Sequence, residues 1–438
     1  MTTERAMAAP RITARNVAAA VLGNALEVYD FGAYAFFAVM IGEAFFPAKT
    51  PMTSLLLSLA TFGAGFVSRP FGALVIGAYG DRVGRKPALL LTFFLMGLGS
   101  AGLALTPSYA MIGPLAPILV VTARLIQGLA FGGTIGPATA FLLEAAPPAR
   151  RGLFASWQLA SQGLATLVAG AVGVGVSAAL GHAAMAAWGW RVPFLLGALI
   201  LPLAFVVRHA LPETLHEAGE APQEETGLGH FVRHQPGLIV IGLVIVASCT
   251  IPFYVLAYMT TFATTTLHLS TTVSLVATVI FGVTTLIFSL VGGALSDRFG
   301  RKPLMILPRI AVVLVAWPLF AWLIHAPDAL ALLAVTAVLS ILSQLSSSVA
   351  LVAVAEALPK AVRSAGMATI YAVGVAIFGG STQFIVAWLI ARTGDTLMPA
   401  WYLMAATAVG IWAMAALRET GPVRAARVAA AAGEAHAG

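Results

Sequence analysis

The chain of 438 residues is 60% hydrophobic and only 9% charged, with a mean hydropathy of +0.94. Soluble domains carry about 25% charged residues, so this composition excludes a soluble enzyme, a disordered chain and a coiled coil. Apolar runs of about 20 residues or more can each cross a hydrocarbon core of about 30 Å, which predicts an all-α integral membrane protein; the short alternating segments of a β-barrel are absent. A single cysteine, Cys249, excludes an internal disulfide or a Cys-rich metal site.

Arg5, Arg11 and Arg15 precede the first apolar run, and no short hydrophobic region with a cleavage site follows, so the first helix is expected to be retained. In chain order the runs read as 17–44, 53–80, 87–106, 111–143, 153–180 and 189–209. An acidic stretch, 210–236, carries Pro212, Glu213, Glu217, Glu220, Glu224 and Glu225. Six further runs follow, at 237–265, 272–296, 304–324, 329–355, 364–391 and 398–417. The expected organisation is a six-helix bundle over 1–209, a linker over 210–236, a second bundle over 237–417 and a tail over 418–438. Of the 24 Lys and Arg residues, eighteen fall on the N-terminal side of the membrane, three on the other (Lys49, Arg191, Arg392) and three inside spans (Arg69, Arg124, Arg309). This bias places both termini and the linker in the cytoplasm. The net charge of +7 is therefore topological and does not indicate nucleic acid.

Asp81-Arg82-Val83-Gly84-Arg85-Lys86-Pro87 recurs as Asp297-Arg298-Phe299-Gly300-Arg301-Lys302-Pro303, 216 residues later. A looser pair, Glu144…Pro147…Arg151-Gly152 and Glu356…Pro359…Arg363, recurs at an offset of 212. Two motifs at nearly one offset mean two homologous halves of the same orientation, related by an axis along the membrane normal. Each Asp-Arg-x-Gly-Arg-Lys lies between the second and third spans of its half. Gly77 and Gly293, four residues before each Asp, are expected to let helices approach closely. The pattern predicts a cytoplasmic charge clamp, with Asp81, Arg82, Arg85 and Glu144 in one half and Asp297, Arg298, Arg301 and Glu356 in the other. Such a clamp can break and re-form as the protein opens to either side.

Both copies match the Gly-x-x-x-Asp-Arg-x-Gly-Arg-Lys signature of the major facilitator superfamily, which the chain resembles over its whole length. Several stretches are similar to its metabolite:proton symporter branch. They are Gly23-Asn24-Ala25-Leu26-Glu27-Val28-Tyr29-Asp30-Phe31, Arg69-Pro70-Phe71-Gly72-Ala73, Arg124-Leu125-Ile126-Gln127-Gly128, and Tyr371 with Phe378-Gly379-Gly380. Ser156-Trp157-Gln158 is most similar to the citrate and tricarballylate members. The resemblance implies proton-coupled transport of a small organic acid or zwitterion by one chain, without a cofactor, in a bacterial inner membrane. One departure is Gly132-Gly133-Thr134, where many relatives carry an acid after the paired glycines; its loss makes the centre more positive and favours an anion.

Ionisable residues inside spans are functional candidates by default. Glu27 and Asp30 are three apart on one helix face, which Tyr34 continues. Two carboxylates so close in a low-dielectric site resist ionising together, so one is suited to carry a proton. Asp30, nearer mid-span, is the expected carrier with Glu27 modulating it; the alternative is a fixed bridge to an arginine. Arg69, about 18 Å of helix before Asp81, and Arg124 are candidates for binding a carboxylate substrate, because guanidinium matches carboxylate with two prongs. Arg309, six residues past Pro303, is expected to snorkel to the cytoplasmic surface. Gly128, Gly132 and Gly136 form a packing face.

Neutral polar groups complete the candidate site. Asn24, Tyr34, Gln158 and Gln162 belong to the first half, and Tyr254, Tyr258, Ser343, Gln344 and Gln383 to the second. Each either reaches a substrate oxygen or hydrogen-bonds a neighbouring helix; Gln158 and Tyr258 rank first as substrate contacts. No metal-ligand cluster, nucleophile–base pair or phosphate loop is present, so the expected activity is transport rather than catalysis. The sequence predicts a proton-coupled carrier for citrate, tricarballylate or another di- or tricarboxylate. A zwitterionic osmolyte such as proline or betaine, or a monocarboxylate, is the alternative cargo; a channel or receptor is the alternative class.

Overall fold

The computed structural model describes residues 14–131, 142, 146–199, 235–359 and 362–421, which are helical apart from short connections. Among these residues eight helices are long and apolar enough to cross a membrane, and a bent pair, Val21–Phe36 with Ala38–Phe45, makes a ninth. Two shorter apolar helices, Leu90–Leu105 and Leu115–Phe131, stand at the third and fourth expected spans, and Val192–Ala198 stands at the sixth. Among the described residues a helix thus stands at each of the twelve positions where hydropathy implies a span. The linker lies almost wholly outside the described residues, as do Gly132, Gly133, Thr134, Gly136 and Glu144.

Local signals set several helix starts. Thr50 caps the second span by accepting from the Thr53 N–H, with Pro51 at the first helical position. Ser270 and Asp328 cap the eighth and tenth spans in the same way. The repeated motif owes its glycine to backbone geometry. Gly84 has φ 124° and Gly300 φ 96°, values that side-chain-bearing residues rarely adopt, and each turns the chain directly into the next helix.

Two expectations for the spans change. The first span is not one continuous helix, since it breaks at Phe37 (φ −111°, ψ 15°) and bends by 66°. The break involves neither proline nor glycine. The Phe37 N–H closes a tight turn onto the Tyr34 carbonyl, and its buried ring meets Phe194 at 6.3 Å. The eleventh span carries a π-helical turn, Val375–Gly379, between Arg363–Gly374 and Gly380–Thr393. Such turns recur at functional sites because they re-aim the side chains beside them.

Arg309 does not snorkel. It is fully buried, donating to the Ser248 carbonyl at 2.7 Å and to the Ser346 and Ser347 hydroxyls at 3.0 and 2.7 Å. Pro252 explains the position. It lies within the seventh span and lacks the N–H that would bond the carbonyl four residues earlier, which is that of Ser248. In a membrane a freed carbonyl needs a partner from elsewhere, and Arg309 supplies it from the ninth span.

The halves meet along the fifth span (Arg151–Gly181) and the eighth (Thr271–Phe299). Ser177 bonds Thr272 at one end. Near the other end Gly293 packs so closely that a Cβ there would collide with Ser156 and the Gly152 carbonyl, as expected of it. Its counterpart Gly77 differs, for a Cβ there meets nothing within 4 Å. Gly128 does pack tightly, against Gly65 and Ser68.

Candidate functional site: a central cavity beside a buried charge network

A cavity opens between the two halves. The space unfilled by atoms, its mouth included, is about 750 Å³. Its walls are Val28, Phe31, Gly32, Ala35 and Phe36 of the first span with Arg69, Phe131, Leu159, Gln162 and Thr166. From the second half come Cys249, Thr250, Phe253, Tyr254, Ala257, Leu351, Tyr371 and Val375. The wall is apolar and aromatic with few polar groups, the usual make-up of a small-molecule site. Arg69 is its cation. The guanidinium carbon lies 4.0 to 4.2 Å from the ring centres of Phe31, Phe66 and Phe131, with the Tyr254 hydroxyl and the Glu27 carboxylate nearby. Gln162 donates to the Tyr371 hydroxyl at 3.3 Å, a contact between the halves.

Of the candidates named from sequence, Arg69, Gln162 and Tyr254 thus face the cavity. The others are not among the residues that line it. Asn24 donates to Ser161 at 2.6 Å and accepts from Gln158 at 3.1 Å, which ties the first span to the fifth. Tyr34 accepts from Ser58 at 3.3 Å. Tyr258 is buried against Phe262. Ser343, Gln344 and Gln383 are buried in the second half, and among the described residues the Ser343 hydroxyl, the Gln344 carbonyl and both ends of the Gln383 amide have no hydrogen-bond partner.

Asp30 and Arg124 form a network next to the cavity, linked by a residue that sequence reasoning passed over. The Gln127 amide donates to Asp30 Oδ2 and to the Ser100 hydroxyl, both at 2.9 Å, while its carbonyl accepts from Arg124 at 2.8 Å. Arg124 and Gln127 are three apart and so share a helix face. The amide has two unlike ends, which lets it touch a carboxylate and a guanidinium at once. Among the described residues Asp30 Oδ1 has no hydrogen-bond partner; it is buried against Gly197 of the sixth span, where a Cβ would collide with it. The position of Gln127 inside the Arg124–Gly128 stretch was the available signal; its role depends on the third helix as well, which spacing within one segment cannot reveal.

In the second half, three of the residues expected in a clamp form ion pairs. Asp297 bonds Arg301 at 2.9 Å, and Arg301 bonds Glu356 at 3.0 Å. Asp297 also accepts from the backbone N–H groups of Gly152 and Leu153 at 2.8 and 3.0 Å. Its carboxylate thus sits at the N-terminus of the fifth span, across the boundary between halves, where the helix dipole favours negative charge. Arg298 is exposed and outside this network, as is Arg82 in the other copy. The side chains of Asp81 and Arg85, and all of Glu144, lie outside the described residues.

A third carboxylate at the clamp, beside Asp297 and Glu356, was not anticipated. Glu419, just past the last span, accepts from the N–H groups of Arg301 and Lys302, both at 2.9 Å, and Thr420 donates to Glu356 at 2.8 Å. Partial burial raises the Glu419 pKa, but four backbone N–H groups, led by Lys302, more than offset this and hold it below the usual carboxylate range. A depressed value means that docking is complete above the free value of about 4.3 and is lost as pH falls through the lower, folded value. Glu419→Ala removes this cap, which costs about 1 kcal/mol. The expected result is faster trypsin cleavage after Arg418 in detergent at pH 7, with no change in cleavage elsewhere.

Comparison with known proteins agrees with this architecture. The sugar (and other) transporter family model matches residues 16–230 and 222–424. The chain belongs to this family. The citrate-proton symporter of Salmonella typhi is 38% identical over 397 residues, 90% of this chain and 92% of that protein. The citrate-proton symporter of Klebsiella pneumoniae is 38% identical over 401 residues, 89% and 88% of the two chains. A glycine betaine/proline/ectoine/pipecolic acid transporter of Dickeya dadantii is 33% identical over 420 residues, 92% and 83%. Among solved structures, the partially occluded inward-open xylose transporter XylE of E. coli superposes with a TM-score of 0.74 at 19% identity, covering 92% of this chain and 97% of that one. At that identity the likeness shows the major facilitator fold alone. This family member is thus a multi-pass membrane transporter.

Proposed function

We propose that the chain is a proton-coupled symporter that imports a small organic anion, citrate, tricarballylate or another di- or tricarboxylate. The observation that carries this reading is Arg69, a guanidinium in the cavity wall, placed beside a buried Asp30–Gln127–Arg124 network. Two relatives named as citrate-proton symporters support the cargo class. Asp30 takes the proton at its free oxygen, Glu27 modulates Arg69, and Arg69 with Gln162 and Tyr254 receives the carboxylates. The halves rock about the cavity and expose it to each side in turn, with the Asp297–Arg301–Glu356 clamp closing the cytoplasmic end. The carrier works as a single chain in a bacterial inner membrane with both termini in the cytoplasm.

One observation favours a second reading. Phe31, Phe36, Phe131, Phe253, Tyr254 and Tyr371 line the cavity, and aromatic walls suit a quaternary ammonium such as betaine. The positive charge of Arg69 in the same wall opposes a cation and favours the anion. Uptake of labelled citrate into proteoliposomes, with and without an inward proton gradient, tests the proposal. Accumulation that needs the gradient and is competed by tricarballylate but not by betaine is the expected result. Gradient-driven uptake of betaine or proline with none of citrate would replace the cargo and keep the mechanism.

A further inference from the structure

Phe31 follows the proposed proton carrier Asp30 directly in the chain, and its ring is in the wall of the cavity. The ring centre is 4.2 Å from the guanidinium carbon of Arg69 and 4.0 Å from that of Arg124. The other rings beside these arginines serve one each. Phe66 and Phe131 lie against Arg69, and Tyr34 and Phe62 against Arg124. Arg124 also donates to the Phe31 carbonyl at 3.3 Å. One ring therefore holds two like charges within about 8 Å of each other, in a place where little water screens them.

A ring face attracts cations through a single quadrupole, most strongly where water is excluded. With Asp30 ionised, Arg124 is balanced through Gln127 by the carboxylate. Asp30 is faced by Gln127 and Arg124 from the fourth span, Ser100 from the third and Gly197 from the sixth, with Tyr29 beside it on its own helix. A proton on Asp30 removes that balance, and Arg124 then draws harder on the rings around it. Phe31 is the ring it shares with Arg69. The hold of Phe31 on Arg69 weakens, and Arg69 is freed to meet an anion in the cavity.

We infer that Phe31 is the positioning residue that couples the buried Asp30–Gln127–Arg124 network to the cavity arginine, so that proton loading and anion binding favour one another. The inference rests on the transport reading given above. It requires the π-face of the side chain and not only its volume.

The test uses full-length protein in proteoliposomes, as wild type, Phe31→Leu, Phe31→Met and Phe31→Tyr. Two rates are measured for labelled citrate: accumulation driven by an inward proton gradient, and exchange against internal citrate without a gradient. The ratio of the first to the second is expected to fall about tenfold in Phe31→Leu and Phe31→Met, the scale of one desolvated cation–π contact. Phe31→Tyr restores the ratio because it keeps the ring. A packing role alone lowers both rates together and leaves the ratio at its wild-type value, which overturns the inference; so does a Phe31→Tyr ratio as low as that of Phe31→Leu. Succinate and proline are run beside citrate on wild type, and the ratio is read on whichever solute accumulates. Wild-type vesicles that accumulate none of the three sink the transport reading and this inference with it. Wild-type accumulation with an unchanged ratio in the non-aromatic variants sinks this inference alone.

Discussion

Asp30→Asn is expected to abolish gradient-driven accumulation of citrate while exchange across the membrane survives. The substitution keeps the shape and the contact with Gln127 but leaves no group that can lose a proton at this position. The introduced amide resembles the protonated carboxyl, so the carrier is held in its loaded form with respect to the proton. Steps that need only the loaded form, such as exchange of external for internal anion, continue. Steps that need proton release do not. Uptake with and without a gradient, together with counterflow, distinguishes the two. Gradient-driven accumulation at wild-type level in Asp30→Asn would move the proton to Glu27 or elsewhere. Gln127→Leu acts on the same network from the other side. It separates Arg124 from Asp30, whose Oδ2 then loses its donor, and it is expected to reduce accumulation more than exchange.

The largest effect on stability is expected from Arg309. Arg309→Met removes the donor to the Ser248 carbonyl and those to Ser346 and Ser347. Each buried acceptor left unpaired costs about 1–3 kcal/mol, and the hydroxyls can rotate to other partners while the carbonyl cannot. A loss of about 2–4 kcal/mol in all is expected, read as a lower midpoint of thermal unfolding in detergent. Pro252 makes this argument testable without reference to the charge itself. In the double variant Pro252→Ala, Arg309→Met, the new N–H at position 252 can bond the Ser248 carbonyl four residues back. The double variant should therefore be more stable than Arg309→Met alone, a favourable coupling of about 1 kcal/mol or more in a double-mutant cycle. Equal stability of the two would show that Arg309 does not act through that carbonyl.

The fold was legible because it depends on quantities that a linear reading measures. Hydropathy over about 20 residues, the side on which Lys and Arg fall and a motif repeated at an offset of 216 residues all survive without knowledge of contacts. The repeat also carried a local requirement, the positive φ at Gly84 and Gly300, which is a property of the backbone at one residue. The ionisable residues of the site could be named for a similar reason. Charges inside a membrane are costly, so few persist without a role, and Asp30, Arg69 and Arg124 stand out in any apolar run.

Partnership depends on how distant segments pack. Helical spacing put Asp30 beside Glu27, but the donor that meets Asp30 comes from Gln127, 97 residues away. Gln158 ranked above Gln162 as a substrate contact, yet the rotation of the fifth span turns Gln162 into the cavity and Gln158 towards Asn24 of the first helix. Arg309 lay close enough to its helix end to reach water by distance alone, yet the carbonyl that Pro252 leaves open on another helix holds it inside. Glu419 looked like part of a tail until the N-terminus of the ninth span was found against it. Composition and period within single segments are enough for the membrane class, the duplicated halves and the list of costly charges. Which of those charges meet, through which neutral side chain, and which face the cavity follow from the rotation and bending of separate helices, and these are set by the packing of each helix against its neighbours.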